Sequence, residues 1–254
     1  MALTKTPSFR LDGRKALVTG AGRGIGLAAS AALADLGAHV TLAARTTDEI
    51  EQAVDEIKAA GGSANARTLD VTDVAAVRKV VAEDGPFQIL LNNAGAARPD
   101  AFIDVTEADF DLIMGLNLRA AFFVAQSVAR DLVQRELSGT IINVGSQFSH
   151  TGSAGRSVYS TTKHAIEGLT KNMAIELGPH GIRVNTLCPT YIETPMTRPM
   201  LAKPEFSEWV LSKIKLGRVG QVEDLLGAIV LLASDASAMM TGTSVIVDGG
   251  WTAG

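Results

Sequence analysis

The sequence predicts an α/β protein built on a seven-stranded parallel, doubly wound sheet flanked by helices. Short runs rich in Val, Ile, Leu and Ala alternate with longer stretches of helical periodicity, which is the pattern of successive strand–helix–strand units around central, buried strands. No low-complexity linker, charge block or repeat interrupts this alternation, so residues 1–254 read as a single domain.

The expected strands are Lys15–Thr19, His39–Ala43, Ala64–Leu69, Phe87–Leu91, Thr140–Gly145, Arg183–Leu187 and Ser244–Val247. Between them, Gly24–Leu36, Thr47–Ala60, Val74–Glu83, Glu107–Arg135, Val158–Leu177 and Val222–Ala233 have helical spacing, with Gly37, Gly61 and Gly178 as stop signals. Glu107–Arg135 is long enough to hold two helices or a bend. The periodicity breaks from about 189 to 217, where Pro189, Pro195, Pro199 and Pro204 cluster before an amphipathic piece, Glu205–Lys213. A long insertion of this kind in a compact domain is often a lid over a site.

Composition excludes several classes. With 46% hydrophobic and 20% charged residues, the 254-residue chain can bury a large core and is not of the disordered type. Its net charge of −4 offers no attraction for nucleic acid or for an anionic membrane. No apolar run approaches the roughly 20 residues of a membrane span, and MALTKTPSFRLDG has no signal-peptide core, so a cytoplasmic protein is expected. Cys188 is the only cysteine and the four histidines show no ligand spacing, so no metal is expected. Cys188 itself reads as a small packing residue.

The first strand runs into Thr19-Gly20-Ala21-Gly22-Arg23-Gly24-Ile25-Gly26, at the start of a helix of small residues. Glycines here allow a tight turn, close approach of backbone amides to a pyrophosphate, and close helix–sheet packing. The spacing of Gly20, Gly24 and Gly26 is G-x-x-x-G-x-G. Three further stretches follow in order: Asn92-Asn93-Ala94-Gly95, Asn117, and Ser146 with Tyr159-x-x-x-Lys163. On these motifs the whole chain resembles the short-chain dehydrogenase/reductase family, whose members of about this length share a Rossmann fold. The resemblance implies a nicotinamide cofactor, catalysis by Asn117, Ser146, Tyr159 and Lys163, and commonly a homotetramer.

At the end of the second strand, where an acidic residue would bind the adenosine ribose, the chain has Ala43-Ala44-Arg45. A guanidinium there, with Arg23 opposite, favours a 2′-phosphate and hence NADP(H). By resemblance, Asp70 and Val71 border the adenine, and Asn92, Asn93, Ala94 and Gly95 border the adenosine side. Pro189, Ile192 and Thr194 hold the nicotinamide. Asp70 reads equally well as a helix cap before Val74.

Tyr159 and Lys163 lie four apart on one helical face and can share a ligand. A free tyrosine titrates near ~10, too high for an efficient base at neutral pH, so a nearby ammonium and an oxidised nicotinamide are expected to lower it. A drop of about three pH units needs roughly 4 kcal/mol. Tyr159 then exchanges a proton with the substrate oxygen, Ser146 holds that oxygen and Lys163 binds the cofactor ribose; the family resemblance further implies that Asn117 holds a water of a proton relay.

Substrate contacts are expected from Ala96–Phe102, Gln147–Arg156 and Tyr191–Trp209. Arg98, Gln147, His150, Arg156 and Arg198 can engage hydroxyls or a carboxylate; Phe148, Met196, Met200, Leu201 and Trp209 can form an apolar wall. Lys203–Trp209 and Leu216-Gly217-Arg218 resemble family members that act on sugar acids, such as gluconate 5-dehydrogenases, which points to a small keto sugar, sugar acid or related ketone. The alternative is a 3-oxoacyl-thioester reductase, although Leu137 and His180 stand where a basic patch for an acidic carrier protein would lie. A non-catalytic nucleotide-binding regulator is disfavoured because all four motif residues are present, and an acyl hydrolase because no nucleophile elbow surrounds Ser146. Extra apolar residues on Ala120–Arg135 and Val158–Leu177 point to a partner subunit, with Trp251 at a possible contact.

Overall fold

The computed structural model describes residues 3–254. Its strands are β1 (Lys15–Thr19), β2 (His39–Ala44), β3 (Ser63–Thr68), β4 (Ile89–Asn92), β5 (Gly139–Val144), β6 (Ile182–Pro189) and β7 (Ser244–Val247). The helices are α1 (Gly24–Asp35), α2 (Thr47–Ala59), α3 (Val74–Asp84), α4 (Glu107–Met114), α5 (Ala121–Gln134), α6 (Ser157–Leu177), α7 (Arg198–Leu201), α8 (Pro204–Lys213) and α9 (Glu223–Ala233). Among the described residues the sheet has seven strands in the order β3-β2-β1-β4-β5-β6-β7. All pairings are parallel, with Val18 opposite Leu42 and Leu91, and Ile142 opposite Leu91 and Asn185. This is the expected α/β Rossmann fold.

Alternation along the strands divides the core into two layers. Ala16, Val18, Ile89, Leu91 and Ile142 face α1, α2 and α9, where they meet Leu33, Ile50 and Leu225. Leu17, Leu90 and Ile141 face α3 and α5, where they meet Val77, Val124 and Leu132. Leu17, Leu90 and Ile141 are fully buried, each worth about 1.5–3 kcal/mol of transfer free energy.

Several boundaries differ from the sequence reading. Strand β4 begins at Ile89 rather than Phe87, because Gly85 caps α3 in extended conformation and Phe87 enters the core ahead of the ladder. Strand β6 runs on to Pro189, paired with Val247; a proline is tolerated at a strand's last position. The 107–135 stretch is one continuous helical run in which a π segment, Gly115–Ala120, joins α4 to α5. Residues Glu107–Gln134 are therefore long and apolar enough to cross a membrane by length and composition, contrary to the sequence reading, but half of that window is buried within the protein. The 189–217 segment holds more helix than its broken periodicity suggests. Pro199 and Pro204 sit in the first turns of α7 and α8, where a missing N–H costs nothing.

Trp251 lies inside the chain rather than on its surface, at 8% exposure. It packs on Phe148, Tyr191 and Trp209 with ring centroids 5.4–5.9 Å apart. The carboxyl-terminal turn thus fastens the 189–217 segment to the loop after β5.

Candidate active site

The carboxyl ends of the strands converge on a cleft of about 300 Å³. Its first wall is the glycine turn. Gly20 and Gly24 have φ of +65° and +58°, which side-chain-bearing residues rarely adopt. A Cβ on Gly26 would lie 2.4 Å from the Gly20 carbonyl, so Gly26 serves close packing within the turn. The Thr19 hydroxyl accepts the amides of Asn93 at 3.0 Å and Ala94 at 3.1 Å, while Asn93 Nδ2 donates to the Thr19 and Gly20 carbonyls at 2.9 and 3.2 Å. Asn93 therefore fixes the turn from the neighbouring strand, β4.

Gly20, Arg23, Gly24 and Ile25 line the cleft from the turn, Arg45 from the end of β2, and Asp70 and Val71 from beyond β3. Asn93, Ala94 and Gly95 follow β4, and Pro189, Ile192 and Thr194 follow or end β6. Ser146, Tyr159 and Lys163 line the same cleft. Gly26, Asn92 and Asn117 stand behind its wall. Asp70 is not the helix cap: its Oδ1 accepts from Thr72 N and Oγ1 at 2.9 and 2.7 Å, while Asp73 caps α3 through Ala75 N and Ala76 N. The Thr72 hydrogen bonds hold the Asp70 carboxyl below the usual carboxylate range.

Glu49 and Thr190 are wall residues that escape sequence reading. Glu49 lies 3.8 Å from Arg23 and closes over Gly22, but in the first turn of α2 its acid reads as ordinary helix-dipole complementation. Thr190 Oγ1 is buried in the wall without a hydrogen-bond partner among the described residues, and nearly all such buried hydroxyls in native proteins pair with protein, ligand or water. The glycine turn, the two arginines at one end and this hydroxyl at the other fit a dinucleotide.

Beyond the end of β5, the Ser146 hydroxyl donates to Gln147 Oε1 at 2.7 Å and accepts from Phe148 N at 3.1 Å. Lys163 Nζ donates to the Val144 carbonyl at 2.7 Å and lies 5.5 Å from the centroid of the half-buried Tyr159 ring. Burial pushes the Lys163 ammonium down to about 8. Burial also raises Tyr159, with Ser146 and then Arg156 pulling it down. The expected lowering of Tyr159 by the ammonium is not what the site shows: desolvation dominates, and the groups that lower the phenol are Ser146 and Arg156. The side-chain amide of Asn117 is spent elsewhere: Oδ1 accepts from Ala96 N at 2.9 Å, and Nδ2 donates to the Ala96 carbonyl at 2.8 Å and Thr162 Oγ1 at 3.3 Å. It ties the loop after β4 to α6, and the π segment sets its position.

Of the polar substrate candidates, Arg98 and Arg198 are exposed and paired with Asp109 and Glu193. His150 lies 3.9 Å from Glu167. Arg156 is buried. Among the apolar candidates, Met196 lines the cleft and Phe148, Leu201 and Trp209 belong to the aromatic cluster. Cys188 is fully buried, its thiol donating to Glu167 Oε1 at 3.2 Å and raised by burial, as suits a packing residue.

A Rossmann sheet with a glycine turn and a Ser, Tyr and Lys on one cleft defines a nucleotide-dependent oxidoreductase. A family model described as enoyl-(acyl carrier protein) reductase matches residues 20–252, and the chain belongs to the short-chain dehydrogenase/reductase family. It is 42% identical to L-xylulose reductase of Bos taurus, over 96% of this chain and 99% of the relative. It is also 42% identical to gluconate 5-dehydrogenase of Gluconobacter oxydans (strain 621H), over 96% of each chain. The solved gluconate 5-dehydrogenase of Burkholderia cenocepacia J2315, in complex with NADP and tartrate, superposes with a TM-score of 0.93 at 38% identity, covering 97% of this chain and 98% of that one.

The Lys163 value has a consequence for stability. The folded protein sheds this proton near pH 8, whereas an unfolded lysine keeps it to about 10.5, so unfolding takes up a proton between those values. Between pH 8 and 10 the wild type should gain stability relative to Lys163→Met with a slope approaching about 1.4 kcal/mol per pH unit, read from urea midpoints. Parallel profiles would contradict the buried ammonium.

Proposed function

We propose that this protein is an NADP(H)-dependent oxidoreductase that interconverts a ketone and a secondary alcohol on a small keto sugar or sugar acid. The observation that carries the reading is the convergence of Ser146, Tyr159 and Lys163 on the cleft that also holds the glycine turn. Relatives that act on keto sugars and gluconate support the substrate class.

Bound in the cleft, NADP(H) supplies or accepts a hydride at its nicotinamide. Gly20, Gly24, Ile25 and the amino end of α1 take the pyrophosphate, and Arg23 and Arg45 take the 2′-phosphate. Asp70, Val71, Ala94 and Gly95 border the adenosine, with Asn93 and Gly26 holding the turn in shape. Pro189, Thr190, Ile192 and Thr194 receive the nicotinamide, and Lys163 reaches the ribose. The Ser146 hydroxyl fixes the substrate oxygen while Tyr159 exchanges a proton with it. A phenol raised by burial stays protonated at neutral pH, which suits it to give that proton in ketone reduction. Asn117 positions the Ala96 loop opposite α6.

The 189–217 segment acts as a lid on the substrate side, with α7 as its outer part and the aromatic cluster as its anchor. Phe102, Ile103, Phe110 and Phe122 leave apolar surface exposed along and before α4 and α5, which supports assembly with further copies of the chain as a homotetramer.

Tyr159→Phe should lower kcat for ketone reduction by at least about 10³-fold while the Kd for NADPH changes less than about threefold, as read by nicotinamide absorbance and fluorescence titration. A Phe variant with wild-type turnover would refute the proton-transfer role. Arg45→Asp should raise KM for NADPH by about tenfold or more and leave NADH turnover unchanged or improved. A variant that keeps its NADPH efficiency would contradict the 2′-phosphate assignment.

A further inference from the structure

Arg156 carries a buried charge without a counter-charge. The residue is 7% exposed, yet no carboxylate among the described residues lies within ion-pair distance of its guanidinium. Its Nη2 has only two weak acceptors, the Tyr191 hydroxyl at 3.5 Å and the Met200 sulfur at 3.3 Å. A buried arginine is ordinarily paired, because an uncompensated ion inside a protein is costly. Arg98 and Arg198, by contrast, are largely exposed and each has an acidic partner.

The surroundings indicate what the missing partner is. Arg156 is the residue preceding α6, three positions and about one turn before Tyr159, itself a residue of the cleft wall. Its contacts Tyr191 and Met200 belong to the 189–217 segment, Met200 on α7 itself. The guanidinium charge reaches Tyr159 and Tyr191, lowering both phenols against the effect of burial. The amino end of the 21-residue α6 adds partial positive charge at the same place. A site with a buried cation, a helix amino terminus and no acid of its own is electrostatically complementary to an anion brought by the substrate.

We infer that Arg156 is a specificity-determining residue that binds the carboxylate of a keto acid substrate, so that the enzyme prefers sugar acids over neutral ketoses. This inference rests on the functional reading above and narrows its substrate class. The planar guanidinium matches a carboxylate in bidentate fashion, and such charge-assisted pairs are roughly twice as strong as neutral hydrogen bonds. A hydroxymethyl group in the same place leaves the cation unpaired.

The test compares 5-keto-D-gluconate with L-sorbose, which carries a hydroxymethyl group where the acid has its carboxylate. With NADPH, wild-type kcat/KM should favour the acid by roughly 10- to 100-fold. Arg156→Met should bring that ratio close to one, chiefly through KM for the acid, and Arg156→Lys should keep part of it. Because the readout is a ratio within one protein, a general loss of activity in a variant does not imitate the effect. A wild-type ratio near one, or a ratio unchanged in Arg156→Met, overturns the role of Arg156 and leaves the oxidoreductase reading standing. A wild type that reduces neither compound, nor any neutral keto sugar, overturns both.

Discussion

The site depends on a reversal of direction in the sheet. From β1 the chain winds outward through β2 to β3, then returns to place β4 on the other side of β1 and continues through β5 to β7. Between β1 and β4 the connections leave in opposite directions, so the carboxyl ends of these neighbours cannot be covered by their own crossovers and a crevice remains. The glycine turn after β1 and the Asn93–Gly95 loop after β4 are its two lips. They are locked together by the Thr19 hydroxyl and the Asn93 amide. The remaining walls come from strand ends further out in the same parallel set and from α6, which carries Tyr159 and Lys163.

Most of this was legible because its physical causes are local in sequence. Apolar strand runs separated by helices of ordinary length give the layers, and a glycine turn between strand and helix gives the binding edge. Tyr159 and Lys163 needed only helical spacing. What remained hidden depends on distant contacts. Glu49 is an unremarkable first-turn acid until the fold brings Arg23 to it. Thr190 has no signal other than its position next to Pro189. The packing of Trp251 within the chain was not legible because its partners, Phe148, Tyr191 and Trp209, come from two other segments of the chain. Helix α7 was missed, and α8 was read only as the amphipathic piece Glu205–Lys213, because prolines read as breakers, although in a first turn they are compatible with a helix.

The electrostatics divide between the two ends of the cleft. At the cofactor end, Arg23 and Arg45 are open to solvent and suited to a doubly charged phosphate. At the substrate end, desolvation dominates: it raises the Tyr159 phenol and brings the Lys163 ammonium down to about 8. The two groups start close together and burial moves them apart, so the phenol holds its proton to higher pH than the amine does. Val144, whose carbonyl holds the ammonium, is the last residue of β5, so the sheet itself fixes the position of the lysine.

The central claim is that this constellation delivers a hydride from the cofactor to a carbonyl carbon while the protein protonates the adjoining oxygen. Reduction of 5-keto-D-gluconate or a neutral keto sugar with NADPH deuterated at the transferable C4 position, followed by mass spectrometry and NMR of the product, tests it most directly. One deuterium is expected on the new carbinol carbon and none on the hydroxyl or elsewhere in the chain of carbons. A product without that deuterium, or cofactor left unconsumed with every carbonyl offered, would contradict it.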